Sequence, residues 1–181
     1  MTTPQSFAFG RADLAHADDR DSFITLSRDY FDWMNGEITR HCGFSIEEII
    51  NTSLDGYVLH TVEIGGRLTS DEGGIYFLRE PGGHPLAMGG LRRLPDGAAE
   101  IVRIFTRPQS RGLGLGSRMV TALVHIARSL DYQTLRLDTA VFMVSAQRIY
   151  EATGFTRRAP YAGAEPPAPL QPFWLYYERP L

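Results

Sequence analysis

The chain of 181 residues contains no lysine; all eighteen of its basic residues are arginine. That excludes chemistries built on a lysine amine, among them a Walker phosphate loop, a Schiff base and a Ser-Lys dyad. Cysteine is nearly as scarce. Cys42 stands alone, so no disulfide can form within the chain, and a reducing, cytoplasmic setting is expected. No apolar run approaches the length of a membrane span, and the opening MTTPQSFAFG lacks the charged-then-apolar order of a signal peptide. Positive charge is not in excess either. A net charge of −3 offers no footprint for nucleic acid. The five histidines fall in no H-x-H or H-E-x-x-H spacing, and His41 and Cys42 are adjacent rather than spaced as ligands, so no metal is expected.

What the chain does have is a 43% hydrophobic content, enough for a core, and no linker or repeat that would divide it. One domain over residues 1–181 is expected. Residues 6–14 alternate as a first strand. DDRDSFITLSRDYFDWMNGEITRH follows as one long helix or two short ones, with Phe23, Leu26, Tyr30, Phe31 and Met34 in a stripe and Asn35-Gly36 as a break. SIEEIINTSLDGYVLH reads as the next helix, opened by a capping box of Ser45 and Glu48, with Gly56 weakening its end. GGIYFLRE, HPLAMGGLRRL and AAEIVRIFTR are strands separated by the turn signals PGGH and PDG. A helix from Ser117 to about Leu130, a strand TLRLDT, a helix closed by Gly154 and a last aromatic strand FWLYYE complete the order. The expected fold class is mixed α/β, a mostly antiparallel sheet flanked by helices, with one parallel pair of strands where the crossover runs through the glycines.

Those glycines lie in TRPQSRGLGLGSRMV. A helix start carries unpaired N–H groups and partial positive charge, and glycines ahead of it let an anion approach the backbone. Arg111 adds a fixed positive charge, and a pyrophosphate is the best-matched ligand. The dinucleotide pattern G-x-G-x-x-G is absent. What fits is R-x-x-G-x-G, from Arg111 through Gly112, Leu113, Gly114 and Leu115 to Gly116, with Ser117 next.

Here the sequence resembles the GCN5-related N-acetyltransferase (GNAT) superfamily, whose R/Q-x-x-G-x-G/A loop cradles the pyrophosphate of coenzyme A. LRLDTAVFMVSAQRIYEATGF resembles the second half of that cofactor site, with Ala146, Ile149, Tyr150, Gly154 and Phe155 at the matching places. The resemblance implies a single-domain GNAT fold with a splayed central strand pair and acetyl-CoA as cosubstrate. The main chain of Ile104, Phe105 and Thr106 would then line the pantetheine arm and polarise the thioester. One departure is Met143, where many relatives carry an asparagine that touches the cofactor. That contact is absent here or passes to a neighbour such as Ser145.

Acetyl transfer to an amine needs a neutral amine, a polarised carbonyl and a proton for the departing thiolate. By resemblance, Tyr150 is the candidate acid beside the coenzyme sulfur; a helix tyrosine packed on the sheet is its structural alternative. Glu100 is the candidate base, placed ahead of Arg111 much as in the histone-acetylating branch of the superfamily; water or a solvated strand-end carboxylate is the alternative reading. Period-two alternation puts Glu100, Val102, Ile104 and Thr106 on one face. Asp138 is expected to cap a turn or orient a neighbour, and the aromatics of FDW and FWLYYE to pack a core, line an acceptor pocket or form a homodimer seam. The expected activity is direct acetyl transfer, in a ternary complex, to a primary amine of a small molecule. A peptide N-terminus or side chain as acceptor, or a non-catalytic acyl-CoA-binding module, are the alternatives.

Overall fold

The computed structural model describes residues 6–50, 52–68, 70–164 and 166–181. Its strands are β1 (Ala8–Arg11), β2 (Gly74–Arg79), β3 (Pro85–Arg93), β4 (Ala99–Thr106), β5 (Thr134–Ala140), β6 (Thr156–Arg158) and β7 (Trp174–Pro180). Its helices are α1 (Ala17–Cys42), α2 (Ile46–Ile50), α3 (Leu54–Gly66), α4 (Leu115–Ser129) and α5 (Val144–Ala152). The strands form one sheet in the order β1-β2-β3-β4-β5-β7-β6, antiparallel throughout except for the parallel pair β4–β5. The expected mixed α/β fold is the observed one.

Two apolar layers sandwich the sheet. On one face α4 buries Met119, Val120, Leu123 and Ala127 against Leu78, Ala87, Leu91, Ile101, Leu135 and Leu137. On the other, Phe23 and Leu26 of α1 meet Ile75, Phe77, Met88 and Phe105. Helix α1 runs unbroken, so Asn35-Gly36 is no break. An interior glycine costs about 1 kcal/mol, and burial of Phe31, Met34 and Ile38 on either side of it outweighs that. Asn35 acts as a brace instead, its Oδ1 accepting the Ile46 N–H at 2.7 Å.

The segment expected as a second helix is two. Ser45 and Glu48 form the capping box, the Glu48 carboxylate accepting the Ser45 N–H at 2.7 Å and the Ser45 hydroxyl accepting the Glu48 N–H at 3.3 Å. A second cap, Ser53, accepts the Gly56 N–H at 3.2 Å and starts α3, so Gly56 sits in a first turn rather than at an end. Helix α4 begins at Leu115, earlier than expected, which makes Leu115 and Gly116 part of its first turn. Gly154, at φ 89°, closes α5 as expected, and the Phe155 N–H returns to the Tyr150 carbonyl at 3.0 Å. Strand β6 has no counterpart in the sequence reading; three residues are too few to show a period.

Alternation fails within β4. The β3–β4 register shifts between Met88 and Gly90, and opposite it Arg103 takes φ 55°. This bulge inserts a residue and reverses the phase beyond it. Ile104 therefore joins Ala99 and Ile101 on the α4 face, while Phe105 turns to α1. Glu100 and Ile104 do not share a face.

Candidate functional site

Strands β4 and β5 are paired only at Ala99–Leu135 and Glu100–Arg136. Beyond these pairs β4 stays with β3 as far as Thr106, and β5 stays with β7 as far as Ala140. The two strands thus part, and a cleft of about 650 Å³ opens along the gap. Ile104, Phe105 and Thr106 line one side; Ser145, Ile149 and Tyr150 line the other. Arg111, Gly112, Gly114, Leu115, Gly116 and Ser117 line its end.

That end is built for an anion. Gly112 and Gly114 take φ of 83° and 73°, left-handed values that favour glycine. Gly114 caps α4 without a side chain, leaving the first-turn N–H groups of the helix outside its hydrogen-bond ladder. A Cβ built at Gly112 or Gly114 would meet nothing within 4 Å, so the backbone faces open space where a phosphate could lie. The Arg111 guanidinium rests on the Trp33 ring, 5.2 Å from its centroid. These features fit a pyrophosphate.

Of the residues singled out in the sequence, two lie elsewhere. Leu113 is 45% exposed and lines an outer depression with Arg107 and Ser110. Glu100 does not line this cleft, and its side chain is fully buried. Its Oε2 accepts the Arg92 Nε–H at 2.6 Å, and its Oε1 accepts the Tyr161 hydroxyl at 2.6 Å. It is not the solvated strand-end carboxylate that a place beside the PDG turn suggested. Burial and the Glu100 charge push the Tyr161 phenol well above its ordinary range.

Tyr150 is 6% exposed, packed between Phe155 and Tyr177 with ring centroids at 6.2 and 6.0 Å. Burial raises its pKa, with further contributions from the charge of Asp138 and from Tyr177. Among the described residues no group hydrogen-bonds its hydroxyl. At the start of α5 Met143 lines the cleft, and its sulfur accepts the Thr139 hydroxyl at 3.3 Å. Sequence reasoning missed the cleft-lining Phe142 as a site residue, and it gave Trp33, the tryptophan of FDW, to a core, an acceptor pocket or a dimer seam rather than to this cleft. Of the two roles expected for Asp138, it caps no turn but orients a neighbour: it lies within β5 and accepts the Trp174 indole N–H at 2.8 Å. Nothing local signals that pairing; the partners lie 36 positions apart.

A parallel strand pair that splays over a glycine-rich helix start defines a class of acetyltransferase fold, and solved structures share it. An N-acetyltransferase, PaiA, of Thermoplasma acidophilum, crystallised with coenzyme A, superposes with a TM-score of 0.70 at 12% identity, covering 97% of this chain and 99% of that one. Residues 45–155 match the model of the acetyltransferase (GNAT) family, and the chain belongs to that family. An uncharacterized N-acetyltransferase of Schizosaccharomyces pombe is 37% identical over 36% of this chain and 40% of its own length. An IAA acetyltransferase of Azospirillum brasilense is 33% identical over 47% of this chain and 53% of its own. The chain thus spans about half the length, or less, of these relatives.

Proposed function

We propose that this chain is an acetyl-CoA-dependent N-acetyltransferase acting on a primary amine of a small molecule, with residues 1–181 as one domain in the cytoplasm. The observation that carries the reading is the cleft itself, a strand gap ending at an unblocked helix start beside Arg111. When bound, acetyl-CoA supplies an activated acetyl group on a thiol leaving group. Arg111 and the first turn of α4 hold the pyrophosphate, and the main chain of Ile104–Thr106 lines the pantetheine arm. Tyr150 serves the leaving sulfur. A phenol ordinarily titrates near 10 and a thiol near 8.5, and burial raises Tyr150 further, so the phenol stays protonated and offers a hydrogen bond to growing negative charge. Glu100, its oxygens held by Arg92 and Tyr161, is the base of this reading for the proton of the amine; water is the rival base.

Two measurements on the full chain test this. Titration calorimetry with coenzyme A should give saturable binding, and acetyl-CoA should release free thiol only when an amine from a broad amine and peptide panel is present. Failure to bind coenzyme A overturns the reading. Binding without thiol release for any amine would make the chain an acyl-CoA-binding module.

A further inference from the structure

Behind the cleft, on the α1 face of the sheet, lies a second cavity of about 80 Å³. The rings of Tyr30, Phe31, Tyr57 and Trp174 surround it, with Met34 and Leu170 between them. Among the described residues, Asp138 is the one carboxylate in its wall. The two cavities are neighbours. Tyr30 of the cavity packs on Phe105 of the cleft at 5.7 Å between centroids, and Trp174 packs edge-on to Phe142 at 6.4 Å. Asp138 holds the indole of Trp174, the ring that abuts Phe142 of the cleft.

We infer that this cavity is the acceptor site and that it selects a small hydrophobic monoamine, its ammonium on Asp138 and its apolar group among the aromatic rings. The inference rests on the transferase reading given above. Three properties set the class. A carboxylate ringed by aromatic faces favours a cation by ion pairing and by cation–π attraction. The volume is about half of the ~150 Å³ at which an engineered apolar cavity admits benzene, which suits a short branched alkyl group, or one ring with side-chain adjustment. A polyamine would bring a second cation with no further carboxylate among the described wall residues to meet it, and a peptide would strand amide groups among the rings; both carry desolvation costs.

The test compares isopentylamine, phenethylamine, spermidine and a lysine-containing peptide as acceptors, with calorimetry of coenzyme A run on every protein. The monoamines should exceed spermidine and the peptide in kcat/KM by about tenfold or more. Asp138→Asn should raise KM for isopentylamine by about tenfold, the scale of a lost charge-assisted hydrogen bond, and leave coenzyme A affinity unchanged. Isopentanol, of the same shape without charge, should inhibit weakly if at all. If Asp138→Asn fails to fold, Ile49→Phe, which fills the cavity from its wall, should still bind coenzyme A while losing isopentylamine turnover. Preference for spermidine or the peptide, or unchanged KM in both variants, overturns the inference and spares the transferase reading. Absence of coenzyme A binding in the unaltered chain overturns both.

Discussion

Tyr161 donates its hydroxyl to Oε1 of Glu100 at 2.6 Å across 61 positions of chain, while Arg92 holds the other oxygen at 2.6 Å. The carboxylate is fully buried and the guanidinium about a quarter exposed, so the pair is structural whether or not it also moves protons. Glu100→Gln should lower stability by about 3 kcal/mol, because breaking a buried pair leaves a desolvated charge behind. If Glu100 takes the proton of the amine, the same variant should lose turnover most steeply at low pH, where the amine is protonated. Denaturant melts and pH–rate profiles separate the two effects. An unchanged profile in Glu100→Gln assigns the proton to water.

Gly114→Asp tests the anion cradle. A Cβ at this position meets nothing within 4 Å, and aspartate tolerates left-handed backbone better than most residues, so the fold should survive. A carboxylate there repels phosphate. Coenzyme A affinity should fall at least about tenfold, as expected for one repulsive charge in place of a favourable helix terminus, with the circular dichroism spectrum retained. Equal affinity would remove the cradle from the site.

Tyr150→Phe removes a hydroxyl with no hydrogen-bond partner among the described residues, and the ring keeps its packing on Phe155 and Tyr177. Stability and coenzyme A affinity should stay near those of the parent chain. Turnover and kcat/KM should fall together by about a hundredfold, the lower range for a positioned proton donor. Full turnover under conditions where chemistry limits the rate would leave Tyr150 a packing residue. Lost cofactor affinity would make it a binding one.

Acid should act through Glu178. Hydrogen bonding by Arg136, with Arg158 beside it, holds this carboxyl below the usual glutamate range despite partial burial. A depressed folded-state pKa contributes stability at pH above the ordinary value of about 4.3 and loses it as pH falls below. Asp96, lowered by the same Arg136, acts in the same direction. Glu178→Gln should therefore cost stability at pH 7 and flatten its decline in acid. Urea midpoints collected from neutral pH into the acid limb read both; parallel curves for the two proteins would discard the assignment.

Some local chemistry was legible in the sequence. The capping box at Ser45 and Glu48, the Gly154 terminus of α5 and the glycines before α4 each announce a backbone event within a few residues, and each occurs. What stayed hidden depends on distance in the chain. The β4 bulge falls on Arg103, an arginine at φ 55° where glycine would have been the cue, so the alternation continued on paper past the point where it stops. Trp174 finds Asp138 only because β7 lies beside β5, a pairing no local pattern encodes. Nothing near Glu100 in the chain announces its burial, since Arg92 comes to it from β3 and Tyr161 from the loop after β6.

The parting of β4 from β5 has a thermodynamic corollary. A sheet interrupted after two paired positions has main chain along β4 with no strand beside it on that side, and a ligand lying in the gap serves as the inserted strand. Occupancy and cohesion then rise together. At a hundredfold excess over its dissociation constant, such a ligand adds about 2.7 kcal/mol to global stability. Amide exchange should slow first at residues 101–106, before the outer strands register any change.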